Sequence, residues 1–354
     1  MKKVSIIGVV GIPACYGGFE SLVENLTIDS GDGIEYTVFC SSKNYSTKLD
    51  EHNNAKLVYL NLKANGIQSV FYDIISLIKS IFMRPDVVLI LGVSGCLFLP
   101  VFKLLSKSKI ITNIDGLEWK RDKWSSATKG FLKLSEKVAV KFSDVIITDN
   151  QAISDYVLSE YGVESETIAY GGDHALREVE VEVDNYKDKY ALGLCRIEPE
   201  NNVEMILDSF SKSNIKLKFI GNWNASEYGI KLKDYYKKYS NIEIIDPIYD
   251  LDELFKFRCG CSFYIHGHSA GGTNPSLVEM MHFSVPIIAY DCTFNRHSTE
   301  DKALYFSNSD DLRKKLNSIS EEELFENGLS MKQLANAKYK WDLIRDKYEI
   351  CYHD

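Results

Sequence analysis

The stretch HGHSAGGTNPSLVEMM, residues 266–281, joins a short apolar run ending at His266 to the start of a helical pattern. Gly271 and Gly272 free the backbone between them. Asn274 supplies an N-cap and Pro275 a first helical residue. Amides exposed at such a helix start hold phosphate oxygens, because orphan N–H groups and the positive end of the helix dipole coincide there. Glu279 lies one turn further on, and helical side chains lean toward the N-terminus. Its carboxylate is expected to face the same place and to accept hydroxyl hydrogens from a ribose. The competing reading makes Ser276-x-x-Glu279 a capping box. Pro275 argues against it, because the helix should already have begun there.

Outward from this stretch, short Val/Ile-rich runs alternate with amphipathic segments along the whole chain. The first half carries Val4–Gly8, Glu35–Cys40, Lys56–Leu62, Asp86–Gly92, Lys109–Ile114 and Asp144–Thr148. The second half carries Tyr190–Leu194, Lys216–Ile220, Ile242–Ile245, Ser262–His266 and Val285–Tyr290. Runs buried on both faces and separated by helix-length segments indicate parallel sheets with crossover helices. One sheet of all these strands would be unusually wide, so the fold class is α/β with two facing Rossmann-like domains and a cleft between them. The expected division is 1–172, 173–337 and a C-terminal helix over 338–354. Trp341, Ile344, Tyr348 and Cys351 form a stripe on that helix, and the first domain is one surface it can pack back on. Arg177–Lys189 is acidic and lacks helical periodicity, which reads as a linker or an edge strand.

Three other loops carry candidate chemistry. The first strand runs into Gly8, Gly11, Gly17, Gly18 and Glu20 before a helical pattern. Glycines there let backbone approach a ligand, or serve a tight turn. Their spacing is not the dinucleotide fingerprint. In the second half, Arg196 follows a strand end directly, where open α/β sheets bind ligands. Its guanidinium fork suits a diphosphate, the alternative being a pair with Glu198 or Glu200. Asp115 and Glu118 follow the Lys109–Ile114 run, where a carboxylate can orient or deprotonate an acceptor hydroxyl or cap a helix. Asp149 and Asn150, at the end of the next run, read as caps.

Composition narrows the classes. With 354 residues, 45% hydrophobic and 26% charged, the chain has the makeup of a globular protein with large cores. A net charge of −9 argues against nucleic acid as a partner. Residues 96–142 depart from that average, with ten Lys/Arg against four acids and Phe98, Phe102, Trp119, Trp124 and Phe131 interleaved. This is either a solvated helix face or a patch for an anionic membrane surface, where each basic residue is worth roughly 1 kcal/mol. The eight cysteines show no paired spacing, and Cys259-x-Cys261 lacks a second half, so no metal site is expected. The apolar start is too short and glycine-broken for a signal peptide. The longest apolar stretch, Ser69–Met83, is interrupted by Asp73 and Lys79 and falls short of a membrane span. A cytoplasmic protein is expected.

At GIPACYGGFE, NIDGLEWKRDKW, IAYGGD, CRIEPENN and HGHSAGGTNPSLVEMM the sequence resembles the GT-B glycosyltransferases of family 4, and more closely their bacterial rhamnosyltransferase branch. These pieces spread from residue 11 to residue 281. The resemblance implies a nucleotide donor on the second domain and an acceptor on the first. It places Arg196 and the Gly272 and Thr273 amides on the diphosphate and Glu279 on the ribose, with Gly17, Gly18, Asn274, His266 and His268 completing the nucleotide-sugar site. Asp115 stands with Arg196 and Glu279 as catalytic, and Glu20, Glu118, Trp119 and Arg121 face the acceptor. It further implies a dTDP-rhamnose donor and a lipid-diphosphate-linked saccharide acceptor in surface polysaccharide assembly at the cytoplasmic face of a membrane. A hexosyltransferase using a UDP-sugar and a sugar-nucleotide epimerase are the alternatives. The chain departs from the broader pattern at Gly271, where a glutamate is common, at Asn201, where a lysine is common, and at Cys15, where the closer branch often has a basic residue.

Breaking a sugar–phosphate bond builds negative charge on the departing diphosphate, so preorganised donors to it are the main catalytic need. Metal-dependent transferases often use a D-x-D pair. The one tempting copy, Asp250-Leu-Asp252, opens a helical pattern and reads as a cap, so neither metal nor cofactor is expected.

Overall fold

The structure, a computed structural model, describes every residue except Tyr16, 29–32, Asp115, 121–123, 179–189 and Asp354. The linker expected over Arg177–Lys189 therefore falls almost wholly outside the described residues. The strands are β1 Lys2–Ile7, β2 Ile34–Ser41, β3 Glu51–His52, β4 Ala55–Leu60, β5 Val87–Leu91, β6 Lys109–Ile114, β7 Val145–Thr148 and β8 Glu166–Thr167, followed by β9 Tyr190–Leu194, β10 Lys216–Ile220, β11 Ile242–Ile245, β12 Phe263–His266, β13 Ile287–Tyr290 and β14 Leu304–Phe306. The α-helices are α1 Gly18–Ile28, α2 Gln68–Met83, α3 Leu99–Leu105, α4 Ser126–Phe142, α5 Gln151–Tyr161, α6 Val203–Ser211 and α7 Glu227–Tyr236, then α8 Leu251–Gly260, α9 Pro275–Met281, α10 Thr293–Ser298, α11 Ser309–Ser318, α12 Glu321–Lys338 and α13 Trp341–His353. Each apolar run of the sequence is a strand. Not anticipated were β3, β8 and β14, whose two or three residues are too few to show a period.

The chain forms two compact units, one of Met1–Tyr170 with Trp341–Asp354 and one of Gly171–Lys340. The first sheet runs β3-β4-β2-β1-β5-β6-β7-β8, parallel throughout except for the β3–β4 pair. The second runs β11-β10-β9-β12-β13-β14, all parallel. In the second sheet the order reverses between β9 and β12, and in the first between β1 and β5. That reversal is the Rossmann arrangement, in which loops on either side of the switch diverge and leave a crevice at the carboxyl ends of the strands.

The cores follow from strands buried on both faces. In the second unit Phe219, Phe210 and Trp223 pack with Ile206, Leu217 and Ile265, and the buried Trp223 indole donates to the Ile245 carbonyl at 3.0 Å. The stripe on α13 is buried in the first unit as Trp341, Ile344, Tyr348 and Cys351. There the Asn113 amide donates to the Tyr348 hydroxyl at 2.6 Å, and the Tyr352 ring meets Tyr36 edge-on. Burial of each such large side chain contributes roughly 1.5–3 kcal/mol.

Helix α2 carries an acid into the core. Asp73 is 2% exposed, and burial raises its carboxyl to about 8 against a lesser pull from the Gly95 backbone. The folded state therefore holds a proton that the unfolded chain releases near its ordinary value of 3.8. Between those two values stability falls as pH rises, because only the folded form keeps the proton, and above them it levels off. Asp73→Asn should remove a slope on the order of 1 kcal/mol per pH unit and leave the variant more stable than wild type at pH 8. Denaturant melts at pH 5, 6.5 and 8 test this, and parallel profiles for the two proteins would contradict it.

Candidate functional site

In the second unit the loops after β9 and β12 flank the switch point, and they are tied together. The Asn201 amide donates to the Arg196 carbonyl at 2.7 Å, and its Oδ1 meets His268 Nδ1 at 2.7 Å. Asn202 donates to the Gly267 carbonyl at 2.8 Å. Ser269 donates to the Glu200 carbonyl through both its amide and its hydroxyl. Asn295, from α10, holds the far side by donating to the carbonyls of His268 and Tyr290 at 2.8 Å each. The structure thus brings the Arg196 loop and the His266–Asn274 loop together. Asn201, Asn202 and Asn295 escaped the sequence reading; Asn201 stood out there only as a departure from the family pattern.

Arg196 is half-exposed, and its Nη2 lies 3.9 Å from Glu198 Oε2, the outer limit of an ion pair. His266 and His268 are both buried, with ring centroids 5.9 Å apart. Burial first, then His268 alongside, holds the His266 imidazole well below its ordinary range, so it is neutral at physiological pH. Its Nδ1 is 3.4 Å from the Tyr264 hydroxyl, while Nε2 has no hydrogen-bond partner among the described residues.

Helix α9 begins as the sequence indicates. Asn274 is the N-cap, its Oδ1 accepting from the Ser276 amide at 3.0 Å, and Pro275 is the first helical residue. The Ser276–Glu279 capping box does not form. Thr273 is buried beside this start, and Gly272 is half-buried. Gly271 has φ +113°, which explains why a glutamate is poorly suited to that position: an L side chain there would be strained.

Glu279 is more engaged than expected. One oxygen bonds the Arg258 guanidinium from α8 and the other lies 3.3 Å from His174 Nε2. Burial alone would raise this carboxyl, but Arg258 and then His174 outweigh it and hold it below the usual range. Gly172, in the IAYGGD segment, passes so close to α9 that a Cβ on it would lie 2.6 Å from the Val278 carbonyl oxygen. That approach brings His174 to Glu279. The Asp250-x-Asp252 pair is a cap, with Asp250 accepting from the amides of Asp252 and Glu253. Among the described residues no group of three His, Cys, Asp or Glu is placed to hold a metal.

The first unit's candidates divide. Asp115 and Arg121 lie outside the described residues. Glu20 turns inward and accepts from the Val10 amide at 2.8 Å; burial raises its carboxyl, opposed by that bond. Gly17 and Gly18 form the turn into α1, the Gly17 carbonyl accepting from Ser21 at 3.1 Å. Glu118 and Trp119 line a small pocket with Gly92, Ile114 and Glu136 at the carboxyl ends of β5 and β6. The Trp119 indole donates to the buried Glu136 at 3.1 Å, which also accepts from the hydroxyls of Tyr156 and Tyr161. Lys133 lies over the Trp119 ring at 4.4 Å. Much of the basic, aromatic segment is therefore internal structure. Asn150 caps α5, accepting from the Ala152 amide at 3.0 Å.

The buried Arg258–Glu279 pair generates a stability test. Removing one partner of such a pair leaves an uncompensated charge and costs about 3–5 kcal/mol. Arg258→Met should destabilise the protein by that order, and adding Glu279→Leu should restore most of it. Chemical denaturation of both variants measures this; an Arg258→Met protein as stable as wild type would contradict the pairing.

Residues 177–341 match the family model for glycosyl transferases group 1, and residues 1–173 match the domain of unknown function DUF1972. No curated protein matches the chain. Among solved structures, a sucrose-phosphate synthase from Thermosynechococcus elongatus is similar, with TM-score 0.84 and 12% identity over 100% of this chain and 98% of that one. HepE of Anabaena, in complex with UDP and glucose, has TM-score 0.78 and 11% identity over 100% of both chains. The catalytic domain of starch synthase IV from Arabidopsis thaliana, bound to ADP and acarbose, has TM-score 0.74 and 11% identity over 99% of this chain and 98% of that one. With its GT-B fold and a second unit matching the group 1 model, the chain is a glycosyltransferase.

Proposed function

We propose that the second unit binds a nucleoside diphosphate sugar at the tied loops after β9 and β12, and that the sugar passes to a hydroxyl presented by the first unit. The observation carrying this is the Asn201 tie, which sets the Arg196 loop beside the histidine-glycine loop at the switch point. Arg196, together with the Gly272 and Thr273 amides ahead of α9, meets the diphosphate, and Glu279 meets the ribose. His266 Nε2, buried and unpartnered among the described residues, faces the sugar with His268, since such an atom calls for a partner from a ligand or water.

In the reaction the acceptor oxygen bonds to the anomeric carbon as the bond from that carbon to the diphosphate oxygen breaks. The electron pair leaves with the nucleoside diphosphate. The acceptor proton passes to a base, for which Asp115, at the end of β6, is the candidate, with Glu118, Trp119 and Arg121 positioning the acceptor. Charge on the leaving group is met by Arg196 and backbone amides, without a metal.

The donor is proposed to be dTDP-rhamnose and the acceptor a lipid-diphosphate-linked saccharide in surface polysaccharide assembly, on the strength of the motif resemblance. A UDP-hexose is the second reading, favoured by the likeness to HepE, also solved in complex with UDP-glucose.

A thermal-shift screen of dTDP-rhamnose, UDP-glucose, UDP-galactose and GDP-mannose should show the largest rise with dTDP-rhamnose, by mass action on the folded state. A larger rise with UDP-glucose would replace the donor, and no rise with any would overturn the site. Arg196→Ala should lower kcat on the order of 10²–10³-fold with melting unchanged, because the side chain is half-exposed; unchanged turnover would remove its diphosphate role. Transfer should persist in EDTA, and activity lost there but restored by magnesium would show a metal at work.

A further inference from the structure

Helix α2 is built inside out. Its buried residues are Tyr72, Asp73, Ser76, Leu77 and Ser80, while Phe71, Ile75, Ile78 and Phe82, at i, i+4, i+7 and i+11, are exposed. Phe71 is 59% and Phe82 80% exposed, and on α3 Leu104 is 85% exposed. A surface helix facing water shows the opposite pattern. Helices α2, α3 and α4 share one core through Tyr72, Leu77, Leu99, Phe102 and Ala139, so they cover one face of the first sheet and their outer sides look the same way. These helices carry Lys79, Lys103, Lys129, Lys133, Lys137 and Lys141, and their two carboxylates, Asp73 and Glu136, are buried.

We infer that this face docks on an anionic lipid bilayer, with the α2 stripe and Leu104 entering the headgroup–acyl boundary and the lysines meeting lipid phosphates. Apolar contact and basic charge together are what hold an interfacial helix at such a surface. A second copy is disfavoured by the same charges: a two-fold contact through this face would set lysines against lysines. The aromatic contribution comes from α2, whereas the tryptophan of the 96–142 segment lies within the Lys133 cluster. The inference gives the proposed lipid-linked acceptor a surface on which to be met. Its test contains neither donor nor acceptor, so failure here leaves the proposed transfer standing.

Flotation of the purified protein with vesicles of 30% phosphatidylglycerol in phosphatidylcholine, and with pure phosphatidylcholine, is the experiment. Wild type should float with the anionic vesicles, stay behind with the neutral ones, and release at high salt. Phe71→Glu/Phe82→Glu and Lys79→Glu/Lys137→Glu should each lower the partition coefficient at least tenfold with unchanged melting. Wild type left behind with anionic vesicles would overturn the inference. So would equal flotation with neutral vesicles, either double variant floating like wild type, or a dimer by light scattering that Phe71→Glu/Phe82→Glu dissociates.

Discussion

Asn201 joins the two loops on which the second unit's chemistry rests. It donates to the Arg196 carbonyl and accepts at Oδ1 from His268. Because its amide nitrogen is committed to a carbonyl, the oxygen must be the acceptor, which fixes Nδ1 as the protonated nitrogen of His268. The residue is 2% exposed, and a buried polar network of this kind is strong when satisfied and costly when half-satisfied. Where the broader family commonly has a lysine, this chain has a neutral bridge. Positive charge near the diphosphate then rests more heavily on Arg196 and on the amides before α9.

The same exchange of charge for geometry recurs at Gly271. A positive φ excludes a strain-free glutamate there, and the imidazoles of His266 and His268 occupy the neighbourhood instead. His266 is kept neutral by burial, so it serves a sugar hydroxyl as a hydrogen-bonding partner and adds no fixed charge. Glu279 is the opposite case. It remains ionised in a half-buried position because Arg258 and His174 outweigh the cost of burial. An ionised carboxylate accepts and does not donate, which suits a partner with two hydroxyls to give.

Much of the fold was legible in the sequence because strands buried on both faces are continuous apolar runs, and such runs need no tertiary knowledge to find. Helix starts read well for a similarly local reason: Asn274 with Pro275, Asp250 and Asn150 cap through bonds to amides two or three residues on. Glu279's partners were not legible, since Arg258 lies 21 residues upstream in α8 and His174 reaches it only through the close pass of Gly172. The outward stripe of α2 was hidden for another reason. Its apolar spacing is the same whether the stripe faces a core or solvent, and only the packing of Tyr72 and Leu77 against the sheet decides which side is which. Trp119 shows the converse, an aromatic in a basic segment that turns inward to a buried carboxylate.

The central claim is that a pyrophosphate docks where Arg196 meets the amides that precede α9. A crystal structure of the protein with bound dTDP tests it most directly. The account predicts phosphate oxygens within hydrogen-bond distance of the Arg196 guanidinium and the Gly272 and Thr273 amides, with the ribose hydroxyls on Glu279. An ordered nucleotide at any other place, with these groups still facing solvent, would contradict it.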